Sequence, residues 1–167
     1  MHRQQGYVDR GNYKLYYETF GRGFPILLVH GILGCGRFMN HSATWELGDW
    51  LAELRFRALI FDQYGFGEST RATDFPADYF WRTPEDIIAL LDHLKIDQVV
   101  VIGVCEGAVA ALNLAIRYPE RVVAVVADSP GYQITEDMLE ADADPDNAPE
   151  EAWQRLLEET HGLDYAA

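Results

Sequence analysis

The stretch VVVIGVCEGAVAALNLAIRYPE, residues 99–120, joins two patterns that one turn must separate. Residues 99–102 form a continuous β-branched run, which suits a strand covered on both faces. Residues 108–118 are rich in alanine and read as a helix stopped by Pro119. Between them stands Gly103-Val104-Cys105-Glu106-Gly107. A sharp turn here lifts residue 105 above the sheet edge, while the flanking glycines allow close packing and strained backbone. The following helix aims its N-terminal N–H groups and positive dipole end at the same point. This is the strand-turn-helix context of a nucleophile elbow. The N–H of Glu106 is then placed to hold a developing oxyanion. Two readings of Cys105 stand: a nucleophile, or a small buried hydrophobe, a common fate of free cysteine.

Working outward, three more short apolar runs appear at residues 26–29, 59–61 and 122–126. Helical patterns lie between the runs, at residues 42–54 and 83–94. In the first, Trp45, Trp50, Leu51 and Leu54 are the candidate apolar face. In the second, Thr83 is the expected cap and Pro84 the first helical residue, with Glu85 and Asp86 at the positive end. Ile87, Leu90, Leu91 and Leu94 make its apolar stripe. Near the N-terminus, residues 7–8 and 13–19 flank the turn-like DRGN and read as an antiparallel hairpin. Strand and helix alternate, so the expected class is α/β: a mostly parallel sheet with helices on both faces. Residues 142–149 read as an exposed linker and residues 150–159 as one more helix.

Two further loops follow strands. His30-Gly31-Ile32-Leu33-Gly34 brings a second backbone N–H, that of Ile32, toward the same oxyanion; the plainer reading of the His30 side chain is structural. Asp62 opens DQYGFGES, residues 62–69, a tight hydrogen-bonded loop beside the site, and is given a structural role.

Bulk properties bound the function. A 167-residue chain that is 49% hydrophobic can bury a core as one domain, yet is short for a large α/β enzyme. Its net charge of −14 makes nucleic acid a poor partner. Eleven acidic residues and one basic residue lie between Glu136 and Asp164, which reads as a solvated face rather than an acidic binding surface. No apolar run is long enough to span a membrane. The opening MHRQQGYVDRG has no apolar signal segment, and two cysteines suit a reducing compartment, so a cytoplasmic location is expected.

The motifs together resemble the α/β-hydrolase family, and within it the biphenyl hydrolase-like, valacyclovir hydrolase type. HGILGCG (30–36) resembles its oxyanion loop, DQYGFGEST (62–70) its D-x-x-G-x-G-x-S loop, and residues 75–94 its following loop and helix. Residues 131–167 resemble the start of its helical cap, which divides the chain into a core at 1–130 and an acidic cap start at 131–167. The resemblance implies hydrolysis of small-molecule esters, amides or lactones without metal or organic cofactor. It implies a nucleophile at residue 105 and oxyanion donors at Ile32 and Glu106. By position alone, the Glu106 carboxylate is a candidate to bind a cationic amine on a substrate, and Leu33 is a further candidate substrate contact.

Two departures follow. The family pattern has serine at the turn, where this chain has Cys105; dienelactone hydrolases, in the same superfamily, use cysteine there. The family's acid and histidine come after later strands, and this sequence stops inside the expected cap. Among the residues present, Asp128 is a candidate acid, its plainer reading being a loop cap, and His161 is a poor candidate base. A Cys35–Cys105 disulfide is conceivable. Three readings stay open: the N-terminal part of a truncated hydrolase, a non-catalytic binding or scaffold protein with the same fold, and a cysteine esterase without a full triad. A missing run of strands leaves an exposed sheet edge after residue 126 and predicts self-association.

Overall fold

The structure, a computed structural model, describes residues 3–31, 34–36, 39, 46–72 and 79–130. The expected linker at 142–149, the helix at 150–159 and the cap start at 131–167 lie outside the described residues. The hairpin forms as the alternation requires: β1 (Arg3–Asp9) pairs antiparallel with β2 (Lys14–Gly21). Gly11 closes the turn with φ 84°, its N–H donating to the Asp9 carboxylate at 2.7 Å.

The remaining strands are β3 (Pro25–Val29), β4 (Arg57–Phe61), β5 (Val99–Val104) and β6 (Val122–Asp128), interleaved with α1 (Leu47–Glu53), α2 (Tyr79–His93) and α3 (Glu106–Arg117). They build a six-stranded sheet in the order β1-β2-β4-β3-β5-β6. β2 meets β4 antiparallel, while β3/β4, β3/β5 and β5/β6 are parallel. From β3 the chain steps to one side for β4, then crosses back to the other side for β5. The C-terminal ends of β3 and β5 therefore flank the point where strand order reverses, where open α/β sheets form their ligand crevice.

The apolar runs without alternation have the expected cause. Leu27 and Val29 face one core with Ile87, Leu90 and Leu91 of α2 and Ala111 and Leu114 of α3. Ile26 and Leu28 face the opposite core with Phe20, Leu51 and Ile60. Leu27 and Leu28 are fully buried, and each contributes about 1.5–3 kcal/mol by burial.

Three helix expectations are corrected. Thr83 and Pro84 do not start α2, which begins at Tyr79 and has no acidic residue in its first turn. Thr83 is buried, its hydroxyl 3.3 Å from the Tyr79 carbonyl and 3.4 Å from the Gln63 side-chain oxygen. The Tyr79 hydroxyl lies 3.4 Å from the same oxygen, and Pro84 sits inside the helix with no N–H to donate. Asp86 serves no helix dipole; it accepts from Arg10 Nε at 2.8 Å and from the Tyr13 hydroxyl at 2.7 Å. In α1 only Leu51 of the expected apolar face is buried, while Trp50 and Leu54 are exposed. One short helix offers a single row to the core; Trp45 and the rest of residues 42–45 lie outside the described residues.

Candidate active site

Cys105 follows β5 directly and precedes the first residue of α3. Its backbone adopts φ 56°, ψ −122°, a region costing a non-glycine residue about 1–3 kcal/mol. Fixed partners hold it there. Its N–H donates to the Asp128 carbonyl at 2.9 Å, and its carbonyl accepts from the Ala108 N–H at 2.9 Å. The two glycines have distinct duties. A Cβ on Gly103 would overlap the Gly107 carbonyl, and a Cβ on Gly107 would overlap the carbonyls of Val29 and His30. Their absence lets α3 press its first turn against β5 and β3.

Three residues converge at this switch point. A Cβ on Gly31, just past β3, would lie 3.0 Å from Cys105 Cβ and 3.1 Å from Glu106 Oε2. The Glu106 carboxylate thus folds back over the turn toward Gly31. Cys105 is exposed as a residue, yet its thiol is partly desolvated, and this is the largest cause pushing its pKa up. A hydrogen bond to the Glu106 carboxylate and that group's charge push it further the same way. The Glu106 backbone N–H opposes them by bonding the sulfur. A negative group on the sulfur, or on an atom bound to it, would meet that same N–H.

His30 is wholly buried, with Nδ1 2.7 Å from the Gly31 carbonyl. Its Nε2 lies 3.0 Å from the Gln63 N–H, which can only donate. Nε2 therefore carries the lone pair, and Nδ1 donates to Gly31. Gln63 Nε2 returns a bond to the His30 carbonyl at 2.6 Å, and Phe66 packs edge-on to the ring. This is the structural role expected of His30.

Asp62, also buried, ties two loops together. Oδ1 accepts from Gly36 N–H at 2.6 Å and Oδ2 from Glu68 N–H at 2.7 Å. Gly67, at φ 52°, leaves the space that the carboxylate fills. Burial raises Asp62 to about 6; the two N–H bonds pull it down, and the nearby Glu68 and Glu18 charges add to the rise. The Ser69 hydroxyl completes the knot, donating to the Asp62 carbonyl at 2.5 Å and accepting from Tyr16 N–H at 2.8 Å.

Asp128 is brought to the site through its main chain, as the acceptor for Cys105. Its exposed carboxylate accepts from the Ser129 hydroxyl at 3.0 Å. Ile32, Leu33 and His161 lie outside the described residues. Cys35 is buried and Cys105 exposed, and no disulfide joins them. Sequence reasoning missed Gln63, which links His30 to α2; a lone polar residue in a loop gives no periodic signal of burial. Among the described residues, no helix is long and apolar enough to cross a membrane.

A mixed sheet with an N-terminal antiparallel hairpin, and a strained turn at the strand-order reversal, defines an α/β-hydrolase-type core. The chain belongs to the α/β-hydrolase fold family, whose model matches residues 25–163. Curated relatives include the serine hydrolase BPHL of Mus musculus, 30% identical over 92% of this chain and 53% of the relative. The 2-hydroxymuconate semialdehyde hydrolase of Pseudomonas sp. (strain CF600) is 39% identical over 61% of this chain and 35% of its own length. Among solved structures, Est816, an N-acyl homoserine lactone degrading enzyme, matches with TM-score 0.67 at 25% identity, over 84% of this chain and 52% of that one. The chain spans about half the length of the curated relatives that it matches first.

Proposed function

We propose that this chain carries the acyl-accepting part of a hydrolase for small-molecule esters, amides or lactones, with Cys105 as nucleophile. One observation carries the reading: an exposed cysteine held at φ 56° on the turn between β5 and α3, with the Glu106 N–H on its sulfur. The thiolate attacks the carbonyl carbon. Negative charge moves to the carbonyl oxygen, which the N–H groups of Glu106 and Ile32 hold. The carbon–oxygen or carbon–nitrogen bond to the leaving group breaks, and that group departs with a proton. Water then cleaves the thioester and restores the thiol. Asp128 is the proposed acid. Glu106 is also the proposed anchor for a cationic group on the substrate, and Leu33 a further contact. The hydrolase names of the relatives support the reaction class, and the lactone-degrading neighbour supports lactones among the substrates.

A second reading, a binding protein with the same fold, is favoured by the raised pKa of the thiol, which leaves less thiolate at neutral pH. Turnover of p-nitrophenyl esters separates the two. Hydrolysis above background by the chain, abolished in Cys105→Ala, supports the nucleophile; equal rates in both proteins remove it.

A further inference from the structure

We propose that a cleft at the end of the sheet remote from Cys105 is an anion site, built for the phosphoryl group of a small soluble molecule. The turn Arg22-Gly23-Phe24 joins β2 to β3, and residues 55–56 lead into β4. Gln4 of β1, residues 21–23 and Arg57, the first residue of β4, line a cleft of about 420 Å³. Among the described residues no carboxylate lines it. The volume falls within the roughly 300–1,000 Å³ of small-molecule sites, so there is room for a body attached to the anionic group.

The arginines here differ from others in the chain. Arg3, Arg10, Arg117 and Arg121 each pair with a carboxylate, those of Asp49, Asp86, Glu85 and Asp92. Arg22, Arg55 and Arg57 pair with none among the described residues. The chain has 27 acidic against 13 basic residues, so carboxylates are plentiful, yet none of the described ones stands against these three. Arg22 and Arg57 line the cleft itself, and Arg55 adjoins it, its carbonyl lying under Gly23.

Main-chain packing gives the cleft its shape. Gly21 has φ 73° and Gly23 φ 133°. A Cβ on Gly21 would strike the Phe56 carbonyl and Ala52, and one on Gly23 would overlap the Arg55 carbonyl. The turn is therefore pressed onto residues 52–56, backbone against backbone, as only glycine permits. Arg57 is fastened from both sides. Its N–H donates to the Phe24 carbonyl at 3.0 Å, and it stands opposite Gly21 of β2 and Pro25 of β3. Fixing the backbone that carries the guanidinium lowers the ordering cost of binding.

The donors select the ligand. A guanidinium fork offers parallel N–H bonds that match an oxyanion. One fork satisfies the two oxygens of a carboxylate. Two forks and the Gln4 amide suit a group with three terminal oxygens, and the phosphoryl group is that group. The net charge of −14 does not bar it, because charges beyond about 8 Å are largely screened at physiological salt, so the local cations decide. β3 starts beside the cleft at Pro25, which pairs with Arg57, and its five residues run away from it toward His30 and Gly31. That length sets the cleft about 16 Å from the turn at Cys105. The site is separate from that turn, and the proposal stands whether or not Cys105 is a nucleophile.

Isothermal titration calorimetry of the 167-residue chain with inorganic pyrophosphate tests this. The variants are Arg22→Gln and Arg57→Gln, with Lys14→Gln, at the other end of β2, as the control. The expected result is one pyrophosphate per chain, with the Kd raised about tenfold or more in each arginine variant and unchanged in the control. Should Arg57→Gln lose its native circular dichroism, Arg57→Lys replaces it, keeping the charge without the fork, and the Kd should still rise. A parent that binds no pyrophosphate at millimolar concentration overturns the proposal, as do arginine variants that bind as the parent does. Equal weakening in Lys14→Gln means diffuse attraction rather than a site, and overturns it as well. Citrate, of similar charge, binding as tightly as pyrophosphate removes the phosphoryl assignment. Capture by phosphatidylserine vesicles without binding of free pyrophosphate moves the phosphate to a lipid headgroup and overturns the soluble ligand.

Discussion

Asp62 offers the sharpest test of the site's electrostatics, by substitution to asparagine. The carboxyl sits near 3.8 in the unfolded chain and near 6 in the fold, where burial disfavours its charge. The native state therefore binds the extra proton between those values. Its contribution to stability is fully present below about pH 4 and is lost as pH rises through 6. At about 1.4 kcal/mol per pH unit, the whole change is about 3 kcal/mol. The sequence pI of 4.6 makes the chain poorly soluble near that pH, so the usable window runs from about pH 5.2 to 7.5. About 1 kcal/mol of the change falls in it. Asparagine keeps one acceptor but turns an N–H toward the other backbone N–H, which costs about 1–3 kcal/mol. Urea unfolding at both ends of the window should find Asp62→Asn less stable than the parent at pH 5.2. The gap should shrink by about 1 kcal/mol at pH 7.5, because only the parent loses the linked proton. A gap that stays constant means that Asp62 does not titrate in this range. A gap that widens with pH means that the two short N–H bonds outweigh burial, and the reasoning fails.

Gly107→Ala should be, with Gly103→Ala, among the most damaging of the glycine substitutions near the site, since its Cβ meets two backbone carbonyls rather than a movable side chain. The expected loss is about 3 kcal/mol or more by urea unfolding, against about 1 kcal/mol for Gly11→Ala, whose φ of 84° is strained but whose surroundings are open; equal losses would show that α3 shifts freely. Glu106→Gln should lower the pKa of Cys105 by weakening the hydrogen bond and removing the charge that raise it, though desolvation keeps part of the rise. Iodoacetamide alkylation at fixed neutral pH should then be faster in the variant, and a titration of thiolate absorbance should move to lower pH; an unchanged titration would mean that the carboxylate does not reach the sulfur.

Much of this was legible because local and tertiary demands agree. The runs at 26–29, 59–61, 99–102 and 122–126 have no alternation because helices cover both faces of the inner strands, and β-branched residues suit such strands by themselves. The turn at Cys105 was legible because two glycines are needed where α3 approaches β5 and β3. Where tertiary contacts decide, the sequence misled. Tyr79 and Thr83 reach Gln63, and α2 extends back to meet it, past the residue that capping rules favour. Asp86 reads as a dipole-facing acid but answers Arg10 and Tyr13, more than seventy positions away in sequence. The order β4-β3-β5 is a property of crossovers, which no single segment encodes. Strand runs alone also could not tell β6, where Val122 and Val125 are only partly buried and the other residues exposed, from its buried neighbours.

The side chain of Glu106 changes what the strained turn means. A backbone held at φ 56° costs stability, and Cys105 itself packs into neither core cluster. The geometry therefore serves the presentation of residue 105 better than it serves packing. Yet desolvation first, and then the adjoining carboxylate, favour the proton on the sulfur, against the helix end and the Glu106 N–H that favour its loss. Two of these opposed effects come from one residue: its N–H favours charge on the sulfur and its carboxylate disfavours it. On the proposed reading, the balance tips when the carboxylate is drawn off the sulfur. A cationic group on a substrate is the simplest agent that would do so, since it would pair with Glu106 and leave the N–H in place. Binding and thiolate formation would then be one event, and the raised thiol pKa would be the resting state of a nucleophile rather than a sign of its loss.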